Sequence, residues 1–259
     1  MMRSQNVLPC FVLFCVAMPV SLASNAMAEE ASEKTAKILI ATGVEYHNWR
    51  TTAPVIKELV EKDRRLSVDV FEDIMKLGDL DLSPYDAVIM HFQSSDEGVP
   101  GRAAFDNMKK YVENGGGLVM VHFACGAFQE FRDDFEQLAG RVWMGKTNIP
   151  AGRHQHDPRG KFTVNITDVA HAITRGLDDF ETTDELYTCL IGDVPIQVLA
   201  TAVSRDGKTY PMAFVLDCGK GRVFHCALGH DPVAFKAKNV AEMYRRGCAW
   251  AARQDRLGE

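Results

Sequence analysis

Lys37-Ile38-Leu39-Ile40-Ala41-Thr42, and after it Thr51-Thr52-Ala53-Pro54-Val55-Ile56-Lys57-Glu58-Leu59-Val60, decide the fold. The first stretch is a short apolar run and reads as a strand. The second sets Val55, Ile56, Leu59 and Val60 on one face of a helix. Thr51 or Thr52 is expected to cap that helix, with Pro54 in its first turn, where a missing N–H costs little. Working outward, the alternation repeats: Leu66 to Phe71, Ala87 to Met90 and Leu118 to Val121 read as strands. Phe105, Met108, Tyr111 and Val112 mark a further helix, which stops at Asn114-Gly115-Gly116-Gly117. Strands that alternate with helices build a parallel sheet, so this half predicts an α/β, doubly wound architecture.

The second half has a different texture. Phe162 to Ile166 and Ile196 to Val203 read as strands, and Met212 to Leu216 pairs with Arg222 to Ala227 across Asp217-Cys218-Gly219-Lys220-Gly221. This predicts an antiparallel extension of the sheet. A closing helix carries Val240, Met243, Tyr244, Gly247, Cys248 and Ala251 on one face. With no internal repeat or long linker, one domain over residues 37–253 is expected, preceded by a short tail at 29–36.

The first 28 residues read as a leader. Arg3 precedes an apolar run from Val7 to Val20, too short for a stable span, and Ala26-Met27-Ala28 offers small residues for a cut after Ala28. Phe14 before Cys15 argues against a lipid anchor. A periplasmic or secreted protein without membrane attachment is the expectation. The whole chain carries a net charge of −6, and loss of Arg3 makes the remainder slightly more acidic. Without a basic stripe, nucleic acid is a poor partner. Of the seven cysteines, Cys125, Cys189, Cys218, Cys226 and Cys248 lie beyond the leader, with no C-x-x-C spacing among them. Cys218 and Cys226 flank one hairpin and could bridge; buried thiols are the blander reading.

Ligands of open α/β sheets bind beyond the carboxyl ends of the strands. Those ends are polar here: Gly43-Val44-Glu45-Tyr46-His47 after the first strand, His91-Phe92-Gln93 after the third, His122-Phe123-Ala124-Cys125-Gly126 after the fourth and Leu228-Gly229-His230 after the hairpin. Asp184, Glu185 and Glu45 are the carboxylate candidates. Converging imidazoles with a carboxylate suit either a divalent metal such as zinc or general acid–base chemistry on a polyhydroxylated substrate. Both readings stay open, and no H-E-x-x-H spacing decides between them. His91 could equally be a core histidine. His154 and His156 would share a face if their segment is extended, or lie in a solvated loop. His225 points away from His230 by strand alternation. Cys125 sits where a nucleophile elbow could present a thiol, but Phe123 stands where such an elbow has glycine. No G-x-G-x-x-G follows the first strand, which disfavours nicotinamide; flavin is not expected either.

His122-x-Ala124-x-x-x-Phe128, His171-Ala172-Ile173-Thr174-Arg175-Gly176-Leu177, Asp184-Glu185-Leu186-Tyr187 and Gly219-Lys220-Gly221-Arg222-Val223-Phe224 with Leu228-Gly229-His230, taken in order, resemble the ThuA-like (trehalose utilisation) domain family. The resemblance implies a flavodoxin-like, class I glutamine amidotransferase-like sheet without the glutaminase triad, and a part in metabolism of trehalose and related glycosides, including 3-keto forms made by partner oxidoreductases. It places the family's polar positions on His47, His122, Asp184, Glu185, Tyr187 and His230, with Gln93 and His156 beside them. Where the family often has His-Pro this chain has His171-Ala172, and His171 reads as structural. The expected division has Glu185, Asp184, Tyr187 and His122 in catalysis, Tyr46, His47, Gln93 and His156 on the substrate, and His122 with His230 on a metal. The ligand class is a small carbohydrate, and a homo-oligomer is compatible. The rival from another class is an exported protein that holds a sugar unchanged, with Tyr46, Trp49 and Trp143 as aromatic contacts; a cysteine hydrolase through Cys125 is a third.

Overall fold

The computed structural model describes residues 1, 35–44, 47–94, 96–145 and 154–254, and the account below concerns the unit Glu33–Glu259. The leader and its cut after Ala28 lie outside the described residues apart from Met1, as do Glu45 and Tyr46. In chain order the elements are β1 (Ala36–Ala41), α1 (Trp49–Glu61), β2 (Leu66–Phe71), β3 (Ala87–Met90), α2 (Arg102–Glu113), β4 (Gly117–Val121), α3 (Arg132–Ala139), β5 (Val142–Trp143), β6 (Gly160–Ile166), β7 (Phe180–Asp184), β8 (Leu190–Ile191), β9 (Gln197–Val203), β10 (Thr209–Cys218), β11 (Gly221–Cys226) and α4 (Lys238–Ala251).

Nine strands form one sheet in the order β2-β1-β3-β4-β11-β10-β9-β6-β7. The first five run parallel, and each pairing from β11 onward is antiparallel. β5 and β8 pair separately as a two-residue ribbon. Within the parallel half β1, β3, β4 and β11 are buried on both faces, while the edge strand β2 is only partly covered. Ile38 and Ile40 of β1 pack with α1 and α4, whereas Leu39 and Ala41 pack with α2 and α3, so alternate residues of one run feed two cores. That is why β1, β3 and β4 lack alternation in sequence.

Two details differ from expectation, and one open alternative is decided. α1 begins at Trp49, so Thr51 and Thr52 lie in its first turn and Asn48, in the left-handed region at φ 53°, precedes it. Thr51 donates its hydroxyl to the Asn48 carbonyl at 2.9 Å, and Pro54 falls in the second turn. α3, β5, β7 and β8 were not expected from sequence; they are short and break the β–α rhythm. For Cys218 and Cys226 the buried-thiol reading holds rather than the bridge: both are free thiols at opposite ends of the β10–β11 ladder, Cys218 facing Gly221 and Cys226 facing Ala213.

Candidate functional site

β4 delivers His122 at its carboxyl end into a tight turn, His122–Gly126, with φ +40° at His122 itself. A non-glycine residue held there is strained, and such strain gathers at functional sites. Nδ1 lies 2.7 Å from the Ala227 carbonyl, which can only accept, so Nδ1 carries the proton. Nε2 then accepts the Tyr187 hydroxyl at 2.7 Å. β11 ends nearby and leads through Ala227 and Leu228 to His230.

Asp184, the last residue of β7, is wholly buried. Its carboxylate accepts the backbone N–H of Gly229 at 2.7 Å, Glu185 at 2.8 Å and His230 at 3.2 Å. One side chain thereby ties the end of β11 to the end of β7. Burial pushes its pKa up, against the opposing pull of His122 and these backbone donors.

Glu185 Oε2 lies 3.3 Å from His230 Nδ1, an ion pair rather than a well-aligned hydrogen bond, and 3.7 Å from His122 Nε2. Oε1 is 3.7 Å from His156 Nδ1. Burial alone would raise the Glu185 carboxyl, but His122 and His230 hold it well below the usual carboxylate range. His230 in turn is raised, chiefly by Glu185. His47 completes the group, with its ring stacked on Phe123 at 4.8 Å and edge-on to His230 at 4.6 Å. One ligand atom from each of His47, His122, Glu185 and His230 lies within 4.8 Å of every other.

A cavity of about 550 Å³ opens beside this group, lined by His47, Gln93, Trp143, His156, Glu185 and Tyr187 among others. Of the residues singled out from sequence, the fold brings together His47, Gln93, His122, His156, Glu185, Tyr187 and His230. Asp184 stands behind them. Gln129 and Gln155 also line the cavity and were missed, since they reach it from the turn after β4 and from an isolated bridge, His156 to Tyr187, rather than from strand ends. A second hollow, about 500 Å³, lies at the other end of the sheet, near Asp86 and Gly116, away from these groups.

The remaining candidates fall elsewhere. His91 is a core histidine, its Nδ1 3.0 Å from the Thr42 hydroxyl and its Nε2 3.0 Å from that of Thr52. His154 and His156 part company: His156 lines the cavity, while His154 Nε2 pairs with Asp157 at 2.7 Å. His225 bonds the Ala139 carbonyl at 2.9 Å on the α3 face. His171 bonds locally to the Ile173 N–H at 3.2 Å. Cys125 is buried against Tyr187 and Ala227, and the strained turn residue is His122, three positions earlier; the elbow that a thiol nucleophile needs is not built around Cys125.

Among the described residues, no helix is long and apolar enough to cross a membrane. No curated protein matches the chain. The solved ThuA-like protein from Parabacteroides merdae is 27% identical, with a TM-score of 0.74 over 85% of this chain and 91% of that one. A ThuA-like protein from Bacteroides uniformis, 18% identical, superposes with a TM-score of 0.66 over 90% of this chain and 98% of that one, which shows the shared fold. The fold is glutamine amidotransferase-like: a GMP synthase protein from Thermoplasma acidophilum, 11% identical, gives a TM-score of 0.52 over 85% of this chain and 96% of that one. The model of the ThuA family, described as trehalose utilisation, matches residues 37–251, and the chain therefore belongs to that family.

Proposed function

We propose that this protein acts in carbohydrate utilisation as a sugar-processing enzyme, with His47, His122, Glu185 and His230 as its chemical centre and the adjoining cavity as the seat of the sugar. The observation that carries this reading is the convergence of three imidazoles and a carboxylate, from the ends of β1, β4, β7 and β11, to within 4.8 Å. That donor set fits a zinc-like divalent ion. The hydrogen bond from His122 Nδ1 to the Ala227 carbonyl fits too, because metal-binding histidines commonly fix their other nitrogen in this way. A bound ion would polarise a hydroxyl or carbonyl oxygen of the sugar.

The chain's own groups supply the proton chemistry. Glu185, kept ionised by its two histidines, is placed to take a proton from a hydroxyl or from a carbon next to the carbonyl of a keto-sugar. In the ion-free cluster His230, with its pKa raised, is the matching donor; an ion on its ring nitrogen would take the place of that proton and polarise the oxygen instead. Tyr187 borders the sugar and, with no ion bound, donates its hydroxyl to His122 Nε2; an ion on that nitrogen would free the hydroxyl for the sugar, and Asp184 positions His230 through the backbone. An upstream oxidoreductase that makes keto-sugars is the partner this chemistry calls for. Export through the leader places the activity outside the cytoplasm, and N-terminal sequencing of the mature protein should begin at Glu29.

The test is elemental analysis of protein purified without chelator, beside assays on trehalose, common disaccharides and their 3-keto forms. About one divalent ion per chain is expected, with Glu185→Gln losing both ion and turnover, the latter by about 100-fold or more. Absence of any ion removes the metal part. Glycosides bound equally well by wild type and Glu185→Gln, and recovered unaltered, would make the protein a binder instead.

A further inference from the structure

Only one ring nitrogen of His122 is open to an ion. The ring is wholly buried, and its Nδ1 is committed to the Ala227 carbonyl at 2.7 Å. A neutral imidazole with its proton on Nδ1 keeps a single lone pair, on Nε2. That nitrogen also lies toward the cluster, 3.7 Å from Glu185 Oε2. An ion shared by His122, Glu185 and His230 would therefore be bound through Nε2. The same nitrogen accepts the Tyr187 hydroxyl at 2.7 Å, and one lone pair cannot serve both.

Tyr187 has little freedom to move as a whole. The Leu186 carbonyl before it accepts the Asp157 N–H at 2.9 Å, the Thr188 N–H after it donates to the Gln155 carbonyl at 2.9 Å, and Tyr187 itself forms a bridge with His156. Its ring packs on His122 at 4.3 Å and on Trp143 at 4.9 Å, beside Cys125 and Ala227. The phenolic O–H remains adjustable, because it turns about its own C–O bond, and Tyr187 lines the cavity.

Resting on the metal-assisted carbohydrate reading above, we propose that the Tyr187 hydroxyl and the divalent ion compete for His122 Nε2, which makes Tyr187 the residue that couples ion binding to sugar binding. With an ion on Nε2 the hydroxyl turns its hydrogen to an oxygen of the glycoside. The phenol keeps its proton throughout, so one hydrogen-bond acceptor replaces another. Coupling of this kind is reciprocal: the ion tightens the glycoside, and the glycoside tightens the ion.

Zinc alone, titrated by calorimetry into full chain stripped with chelator, tests the competition. Tyr187→Phe keeps the ring and removes the hydroxyl, so zinc has no hydrogen bond to displace and should bind about 5-fold more tightly than to wild type. Equal affinity overturns the competition, and weaker binding overturns it by making the hydroxyl a ligand. The second arm titrates trehalose and its 3-keto form into both proteins, with and without zinc. Zinc should raise wild-type sugar affinity, and that gain should be about 5-fold smaller in Tyr187→Phe; a gain of equal size in both overturns the coupling. If Tyr187→Phe fails to fold, nitrogen NMR of the wild-type histidines decides. Zinc should then shift His122 Nε2 while Nδ1 stays protonated, and coordination through Nδ1 overturns the proposal. Wild type that binds no zinc removes the metal part of the reading above and the competition with it. Wild type that binds zinc but neither glycoside overturns the carbohydrate reading and the coupling, while zinc affinity still judges the competition.

Discussion

Asp184 shows how a buried carboxylate can matter without meeting a ligand. Its oxygens accept three backbone N–H groups, two of them at Gly229 and His230, so its loss leaves buried donors unpaired and frees the segment that aims His230. Asp184→Ala is expected to cost about 2–3 kcal/mol, read as a lower melting temperature, and to depress turnover through misplacement of His230. Asp184→Asn, which keeps one acceptor oxygen, should fall between. The adjacent Glu185 behaves oppositely. Glu185→Gln removes a charge that two histidines surround, so it should leave the fold intact and reduce ion content and turnover. Neighbours in sequence thus separate by readout, one through stability and one through chemistry alone.

At the scale of elements, α4 lies against β11 so closely that a Cβ on Gly247 would stand 2.2 Å from the Phe224 ring. Gly247→Ala must therefore push the helix outward or rotate a buried phenylalanine, at about 1–3 kcal/mol in a urea titration, although alanine is the better helix former. A second contact between elements is pH-sensitive. His91 joins β3 to Thr42 beyond β1 and to Thr52 in α1, and burial holds its pKa down at about 3; burial likewise holds His225 at about 4. In the unfolded chain both rings protonate near 6.5. Below that pH the unfolded state binds more protons, so the stabilisation from burying neutral rings is complete above about 6.5 and is lost progressively as pH falls toward 3. The His91 share is on the order of a few kcal/mol. His91→Gln, which keeps a partner for each hydroxyl, should flatten this acid slope in urea midpoints measured from pH 7 to 4; an unchanged slope would mean that His91 is not buried as a neutral ring.

For the molecule as a whole, the described cysteines are buried thiols outside any disulfide, and two faces of one sheet supply the core. Stability should therefore be indifferent to redox: dithiothreitol is expected to leave the melting temperature unchanged, and a drop of several degrees would reveal a bridge. Much of this frame was legible along the chain. The boundaries of β2 and β3 and the buried face of α4 follow from alternation, an apolar run and helical spacing in turn, because a partly covered strand, a strand covered on both sides and a one-sided helix each leave a local pattern. α3, β5, β7 and β8 left none, being short segments stabilised by partners distant in sequence. The strand-end rule likewise brought out His47, His122 and His230, since it needs only the direction of the chain. It could not exclude His91, whose role turns on two threonines that pack around it, nor find Gln129 and Gln155.

By itself the sequence determined the α/β class, the order of the main strands and helices, the family and the polar strand ends, all of which depend on residue type and local spacing. Only the tertiary structure decided that Asp184 turns to the backbone while Glu185 turns to the histidines, that His154 and His156 diverge, and that the tight turn is built on His122 rather than Cys125. Those outcomes depend on which atoms meet across tens of residues, and hydrogen-bond direction and burial exist only once the chain has closed on itself.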